Sequence, residues 1–163
     1  MNKRLFFSVF FFCLITLSCN FSKGVKKDLS TGLSASYNGF SIEDIYLSSE
    51  EQRLSNNSVA MGSKIYITAT GVENFKVKDG KVYPGCTIIL TDKAGKEILN
   101  LPDAFSDLVN GTTTQEAKTL QASITTGNPM EVGETYHIYV RFYDKNNKES
   151  ELVANVDLKM KEL

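Results

Sequence analysis

Apolar and polar residues alternate along much of this chain, and this alternation restricts the fold to one built of β-strands. In SKIYITATG, residues 63–71, Ile65, Ile67 and Ala69 are separated by polar residues. Successive side chains of a β-strand point to opposite faces, so a period of two predicts a strand with one buried face. AKTLQASITTG, residues 117–127, repeats the pattern. We therefore expect sheets that each bury one face and leave the other in water.

Turn signals separate these runs at short intervals. Asp79-Gly80 lies between alternating runs and is a strong hairpin signal, because both residue types tolerate the backbone angles of a tight turn. Gly95 in DKAGK predicts a second hairpin, and Lys145-Asn146-Asn147 predicts the turn of a long C-terminal one. About seven or eight short strands joined by such turns predict an all-β fold, a two-sheet antiparallel sandwich.

One segment departs from the strand pattern. LPDAFSDLVNG, residues 101–111, has a Pro near its start, apolar residues at helical spacing and a Gly at its end. This order predicts one short helix over residues 102–109 that ends in a glycine cap. Asp103 and Asp107 would share a face of that helix, which leaves an irregular calcium site open beside the simpler interpretation of solvated surface.

The stretch before the first clear strand predicts a tether. NFSKGVKKDLSTGLSASYN, residues 20–38, is rich in Ser, Lys and Gly and has little apolar periodicity. A flexible chain of this length spans ~25 Å on average. We therefore expect a flexible tether over residues 19–38 and a sandwich domain over residues 39–163. The first strand is expected at residues 40–48. The alternation of its apolar residues shifts between Ile42 and Ile45, which predicts a bulge there.

The last two predicted strands resemble a known architecture. GETYHIYVRFYD and VANVDLKM resemble the final strands of immunoglobulin-like modules in bacterial surface and periplasmic proteins, with Tyr136 at the place of a corner tyrosine. The resemblance implies an immunoglobulin-like sandwich. The Cys–Trp–Cys signature of true immunoglobulin domains is absent, because the chain has no Trp.

The N-terminus has the organisation of a secretory signal peptide. Lys3 and Arg4 precede an apolar run that ends at the small residue Ser18. A charged start, an apolar centre and a small residue before the cut define such a signal, here residues 1–18. The run is shorter than the ~20 apolar residues that cross a bilayer as a helix.

The junction at Cys19 is more specific. Thr16-Leu17-Ser18-Cys19 resembles the lipobox of bacterial lipoproteins, with its best match at Ser18 and Cys19. The resemblance implies cleavage before Cys19 and acyl chains on this cysteine. Through these acyl chains the protein would bind a membrane. More than one acyl chain gives a firm anchor, whereas a single chain binds marginally. An ordinary signal peptide with a chance cysteine is the alternative.

The residues that follow Cys19 indicate to which membrane, and to which face of it, the protein is sorted. The chain resembles small Lys- and Asn-rich lipoproteins of Bacteroidota-type bacteria, from which no function carries over. In lipoproteins of well-studied diderm bacteria, an Asp directly after the acylated cysteine favours the inner membrane. Here that residue is Asn20, so the resemblance implies the cell outer membrane. Surface export of Bacteroidota-type lipoproteins tends to use acidic residues close behind the cysteine. Here Lys23, Lys26 and Lys27 precede the first acidic residue, Asp28, so this resemblance favours the periplasmic face over the cell surface.

Charge argues against nucleic acid as a partner. The chain has 18 Lys and Arg and 19 Asp and Glu, a net charge of −1, and removal of Lys3 and Arg4 with the signal takes it to −3. Phosphate backbones are bound by a basic surface, which this composition does not favour.

No sequence pattern of a catalytic, metal or cofactor site is present. The common nucleophile, phosphate-loop, zinc-protease and dinucleotide motifs are all missing. The single His, His137, could form a dyad only with Cys86, which as a free Cys is expected in the core. Alternation places Cys86 inward and His137 outward, so we expect no dyad. We expect a non-enzyme without cofactor or metal, with a small hydrolase as a minor alternative.

The outward face of the penultimate strand is the candidate binding surface. If its apolar residues point inward, then His137, Tyr139, Arg141 and Tyr143 point outward. Tyr and Arg are enriched where proteins recognise partners, although aromatic residues on a solvated sheet also occur as ordinary cross-strand packing.

These features predict a non-enzymatic outer-membrane lipoprotein. We expect a binding or accessory module of a cell-envelope assembly, with an envelope protein or a glycan as partner. The alternative is a surface-exposed lipoprotein that captures an external glycan or host protein. The absence of Trp disfavours the glycan, because Trp is the best stacking surface for a sugar ring.

Overall fold

The computed structural model describes residues 22–50 and 52–162. The predicted signal peptide and Cys19 lie outside the described residues. No helix in the described part of the chain is long and apolar enough to cross a bilayer. The strands are β1 (Lys23–Lys27), β2 (Ser34–Asn38), β3 (Asp44–Ser49), β4 (Gln52–Arg53), β5 (Ser58–Ala60), β6 (Lys64–Thr70), β7 (Pro84–Asp92), β8 (Glu97–Leu101), β9 (Thr119–Thr125), β10 (Thr135–Asp144) and β11 (Asn147–Lys161).

The strands form two sheets. The large sheet has the order β1-β2-β11-β10-β7-β8, and β5 pairs in parallel with β11 at the far end of that strand. The small sheet has the order β4-β3-β6-β9. All the other pairings are antiparallel. The prediction of an all-β fold with two antiparallel sheets is therefore confirmed.

The core lies between the sheets and follows the alternation. Ile138, Val140 and Phe142 of β10 are fully buried, and Ile65 and Ile67 of β6 face them from the small sheet with 2% exposure each. Because each strand sends every second side chain inward, the outer face of each sheet carries the intervening residues, most of which are polar.

The tether prediction is wrong for residues 22–38. Residues 23–27 and 34–38 form β1 and β2, so the sheet begins at Lys23 instead of residue 39. β2 pairs with β11 and buries Ala35, whereas β1 is an edge strand in which Lys23 and Lys27 are exposed and Lys26 is partly exposed. Edge strands are commonly rich in Lys, which blocks pairing with other chains. A polar composition therefore does not distinguish an edge strand from a linker.

The predicted helix over residues 102–109 is also wrong. The segment is a series of turns, and the described chain has one short 3-10 helix instead, Glu116–Lys118. The Asp103 carboxylate accepts the backbone N–H of Cys86 at 3.1 Å and of Phe105 at 2.9 Å, and the N–H of Ala104 bonds the Cys86 carbonyl. These bonds hold the segment along β7, where its backbone groups find partners outside any helix.

Two local predictions are confirmed. Asp79 and Gly80 both have positive φ, 53° and 73°, and Lys78 and Lys81 exchange both backbone hydrogen bonds around them. Tyr136 is 4% exposed, and its hydroxyl accepts the backbone N–H of Glu131 at 2.9 Å. This bond to a residue a few positions upstream is the geometry of a corner tyrosine.

Candidate functional site

The outward side chains of β10 form one row on the large sheet. His137, Tyr139, Arg141 and Tyr143 alternate with buried residues, so their predicted orientation is confirmed. β10 lies between β11 and β7, which hold its backbone on both sides. We call the exposed side of this sheet the outer face.

The centre of the outer face is partly apolar. Tyr139 pairs with Ile89 of β7 and Asn155 of β11, and the neighbouring Arg141 pairs with Val153. Directly paired residues share a face of the sheet. Ile89 and Val153 are both partly exposed, so the tyrosine ring lies in a small apolar area on the solvent side.

Arg141 is held by two contacts. Its Nε donates to Glu151 Oε2 at 2.7 Å, and its guanidinium carbon lies 4.8 Å from the centre of the Tyr143 ring. The side chains of Arg141 and Glu151 are 33% and 37% exposed. An ion pair this exposed contributes at most about 1 kcal/mol to stability, so its main effect is to orient the guanidinium.

Tyr143 lies flat across β7. A Cβ on Gly85 would collide with the Tyr143 ring, so only a glycine at that position allows the ring to cover the strand. Burial raises the pKa of the Tyr143 hydroxyl, and the Asp103 carboxylate raises it further. The shift moves the pKa further above the neutral range, in which a phenol is already protonated.

The other end of the row carries His137. Its Nδ1 lies 2.8 Å from Asp157 Oδ1, and its Nε2 lies 3.3 Å from Asn155 Oδ1. Both partners come from β11, which pairs with β10 along its length. The outer face thus has a partly apolar centre between two polar pairs, Arg141–Glu151 and His137–Asp157.

The structure separates the residues of the one conceivable dyad. Cys86 is fully buried in the core, and His137 is on the outer face. Burial raises the pKa of the Cys86 thiol to about 12, with a further contribution from Asp103, so this thiol stays protonated at neutral pH.

The calcium alternative finds no support in the described residues. Without the helix, Asp103 and Asp107 do not share a helical face, and Asp103 Oδ2 binds Lys145 Nζ at 2.6 Å. Over residues 22–50 and 52–162, no three His, Cys, Asp or Glu side chains are grouped closely enough to hold a metal ion.

A second tyrosine–arginine pair was not predicted from the sequence. On the outer side of the small sheet, Arg53 Nη1 binds Asp44 Oδ2 at 2.8 Å, and its guanidinium carbon lies 5.0 Å from the Tyr46 ring centre. Alternation along β3 would have placed Tyr46 outward. Arg53 belongs to the two-residue strand β4, which is too short to show any period.

Comparison with known proteins assigns no family and no function to the chain. No protein-family model matches the chain, and no curated protein is significantly similar to it. A sandwich fold hosts many unrelated functions, so the fold class alone names none.

Proposed function

We propose that this chain is a non-enzymatic lipoprotein of the outer membrane that binds a partner through the outer face of its large sheet. The observation that carries the proposal is Tyr139 in its apolar surroundings, between the Arg141–Glu151 and His137–Asp157 pairs. Protein interfaces have this anatomy, an apolar centre with a polar rim, and Tyr and Arg dominate their binding energy.

The rigidity of the surface supports a binding role. Arg141 is oriented by Glu151 and Tyr143, and all three side chains lie on paired strands. Ordering a long side chain on binding costs about 0.5–1.5 kcal/mol, a cost that is reduced when the side chain is already held.

A protein partner fits this surface better than a glycan does. The outer face is a pleated sheet, and the chain offers no Trp for stacking on a sugar ring. We therefore propose an envelope protein as the partner and the periplasmic face of the outer membrane as the location. Capture of an external glycan or host protein at the cell surface is the alternative.

The double variant Tyr139→Ala/Arg141→Ala is expected to lose the partner. Removing two central anchors should cost about 2–4 kcal/mol, which weakens binding about 30- to 1,000-fold. In-cell crosslinking of the tagged chain identifies the wild-type partners, and titration of the purified pair measures the affinity.

The matched control is Tyr46→Ala/Arg53→Ala. It removes the same two residue types, with the same cation–π contact and a comparable acidic partner, from the outer side of the small sheet. We expect this variant to keep every wild-type partner. If the Tyr139/Arg141 variant folds and also keeps every partner, the outer face is not the binding surface.

Anchoring is tested separately by Cys19→Ala. The variant lacks the thiol that would carry the acyl chain, so we expect an unprocessed or soluble product. Cell fractionation with blotting shows its location, and mass spectrometry of the wild-type N-terminal peptide shows the acyl chains. A Cys19→Ala product that is correctly cleaved and still in the membrane would rule out the lipoprotein proposal.

A further inference from the structure

The described fold begins very close to the proposed lipid anchor. Three peptide steps of 3.8 Å separate Cys19 from Ser22, so the two Cα atoms are at most about 11 Å apart. Ser22 is held by the sandwich, because its carbonyl accepts the backbone N–H of Gly39 at 2.8 Å. An acylated Cys19 would therefore bring one end of the sandwich to the membrane surface.

The pairing of the strands defines that end. Lys23 at the start of β1 pairs with Asn38, the last residue of β2, which in turn pairs with Glu151 near the start of β11. The amide of Asn38 donates to the Glu149 carbonyl at 2.8 Å. The start of β1, the end of β2 and the β10–β11 turn thus lie together, and we call this side of the domain the anchored end.

A lysine-flanked hairpin projects from the anchored end. The Asp144 carboxylate, 1% exposed at the end of β10, accepts the N–H of Lys76 at 2.6 Å. The hairpin of residues 76–81 that follows is exposed at every position. Val77, the second residue of this hairpin, is 54% exposed and lies between Lys76 and Lys78 in the sequence.

The hairpin suits a lipid surface. An exposed apolar side chain between lysines can enter the interfacial region while the ammonium groups meet lipid phosphates. Acidic residues at the same end, among them Glu73 and Glu149, offset the lysines. The short connection to Cys19, and not net charge, therefore determines the orientation.

We propose that the anchored end rests on the bilayer, with Val77 and its flanking lysines at the level of the lipid headgroups. This inference rests on the proposed acylation of Cys19. The strands then stand away from the membrane, with the Tyr143 end of the outer face nearest to it. His137 lies six residues back along β10, about 20 Å farther from the lipid at ~3.4 Å per residue. A partner would approach the outer face from the side, close to the membrane.

Single tryptophans can report this orientation, because the chain has none of its own. Val77→Trp places a reporter at the anchored end. Val132→Trp is the matched control, a valine 49% exposed before the start of β10 at the opposite end. Each acylated variant is purified from membranes and reconstituted in phosphatidylethanolamine–phosphatidylglycerol vesicles that contain lipids with a nitroxide headgroup. We expect loss of most of the Val77→Trp emission and no loss of the Val132→Trp emission.

The outcomes separate the two proposals. Vesicle flotation shows whether the protein is anchored, and a protein that does not float removes the anchoring proposal and this orientation with it. Floating protein with equal quenching at both positions, or with stronger quenching of Val132→Trp, overturns the orientation alone. If a valine variant fails to fold, Lys78→Trp and Ala94→Trp, exposed in turns at the same two ends, give the same comparison.

Discussion

Phe142→Ala is expected to lower the free energy of unfolding by about 3–5 kcal/mol, the range for truncation of a buried phenylalanine. The Phe142 side chain is fully buried and pairs with Cys86 on one side and Leu152 on the other. Its ring also stacks on Phe105, with 6.1 Å between ring centres, and so links the sheet to the loop after β8. The variant would leave a cavity that the paired strands cannot close.

Urea denaturation followed by circular dichroism measures this effect. Domains are stable by about 5–15 kcal/mol, so the expected loss is a large share of the total. Phe105→Ala is the control, because Phe105 is partly exposed in its loop and its removal should cost clearly less. Equal losses for the two variants would contradict the position of Phe142 at the centre of the core.

Gly39→Ala is expected to destabilise the fold strongly. Gly39 has a φ of +72°, and a Cβ there would lie 2.6 Å from Ser150 Oγ and 2.9 Å from Ser150 Cα. The left-handed conformation costs a non-glycine residue about 1–2 kcal/mol, and the displaced neighbours add about 1–3 kcal/mol. We expect a total loss of about 2–5 kcal/mol in the free energy of unfolding.

The matched control is Gly62→Ala. Gly62 also has a positive φ, 84°, but a Cβ there would meet nothing within 4 Å, so only the conformational cost applies. Because the Gly39 N–H bonds the Ser22 carbonyl, Gly39→Ala should also speed amide exchange in β1 and β2. Equal stability of the two variants would show that the loop can move away from Ser150.

The outward orientation of the β10 side chains could be predicted from the sequence. The residues of other strands that lie beside them could not. Alternation along one strand is a local property, and it placed Tyr139 and Arg141 outward. Glu151 beside Arg141 and Ile89 beside Tyr139 come from other strands, and their positions depend on strand order and register. Register is set by the packing of the whole sheet, which no single segment contains.

Two segments of the fold show the same limit of prediction from local sequence. Residues 102–109 have the residue order that is typical of a short helix. Hydrogen bonds between this segment and the Cys86 backbone, one of them to the Asp103 carboxylate, hold it along β7 instead. β1 has the composition of a linker and becomes a strand because β2 supplies its hydrogen bonds. In both cases a contact distant in sequence outweighs a weak local preference.

The all-β class, the inward and outward faces of the main strands, and the turns at Asp79-Gly80 and Gly95 could all be predicted from the amino-acid sequence. These follow from side-chain alternation and backbone angles, which are properties of neighbouring residues. Three features became visible only in the folded protein: the sheet begins at Lys23, Arg141 lies between Glu151 and Tyr143, and residues 102–109 are not helical. Those outcomes depend on hydrogen bonds and packing between segments far apart in the chain, which become defined only when the whole sandwich forms.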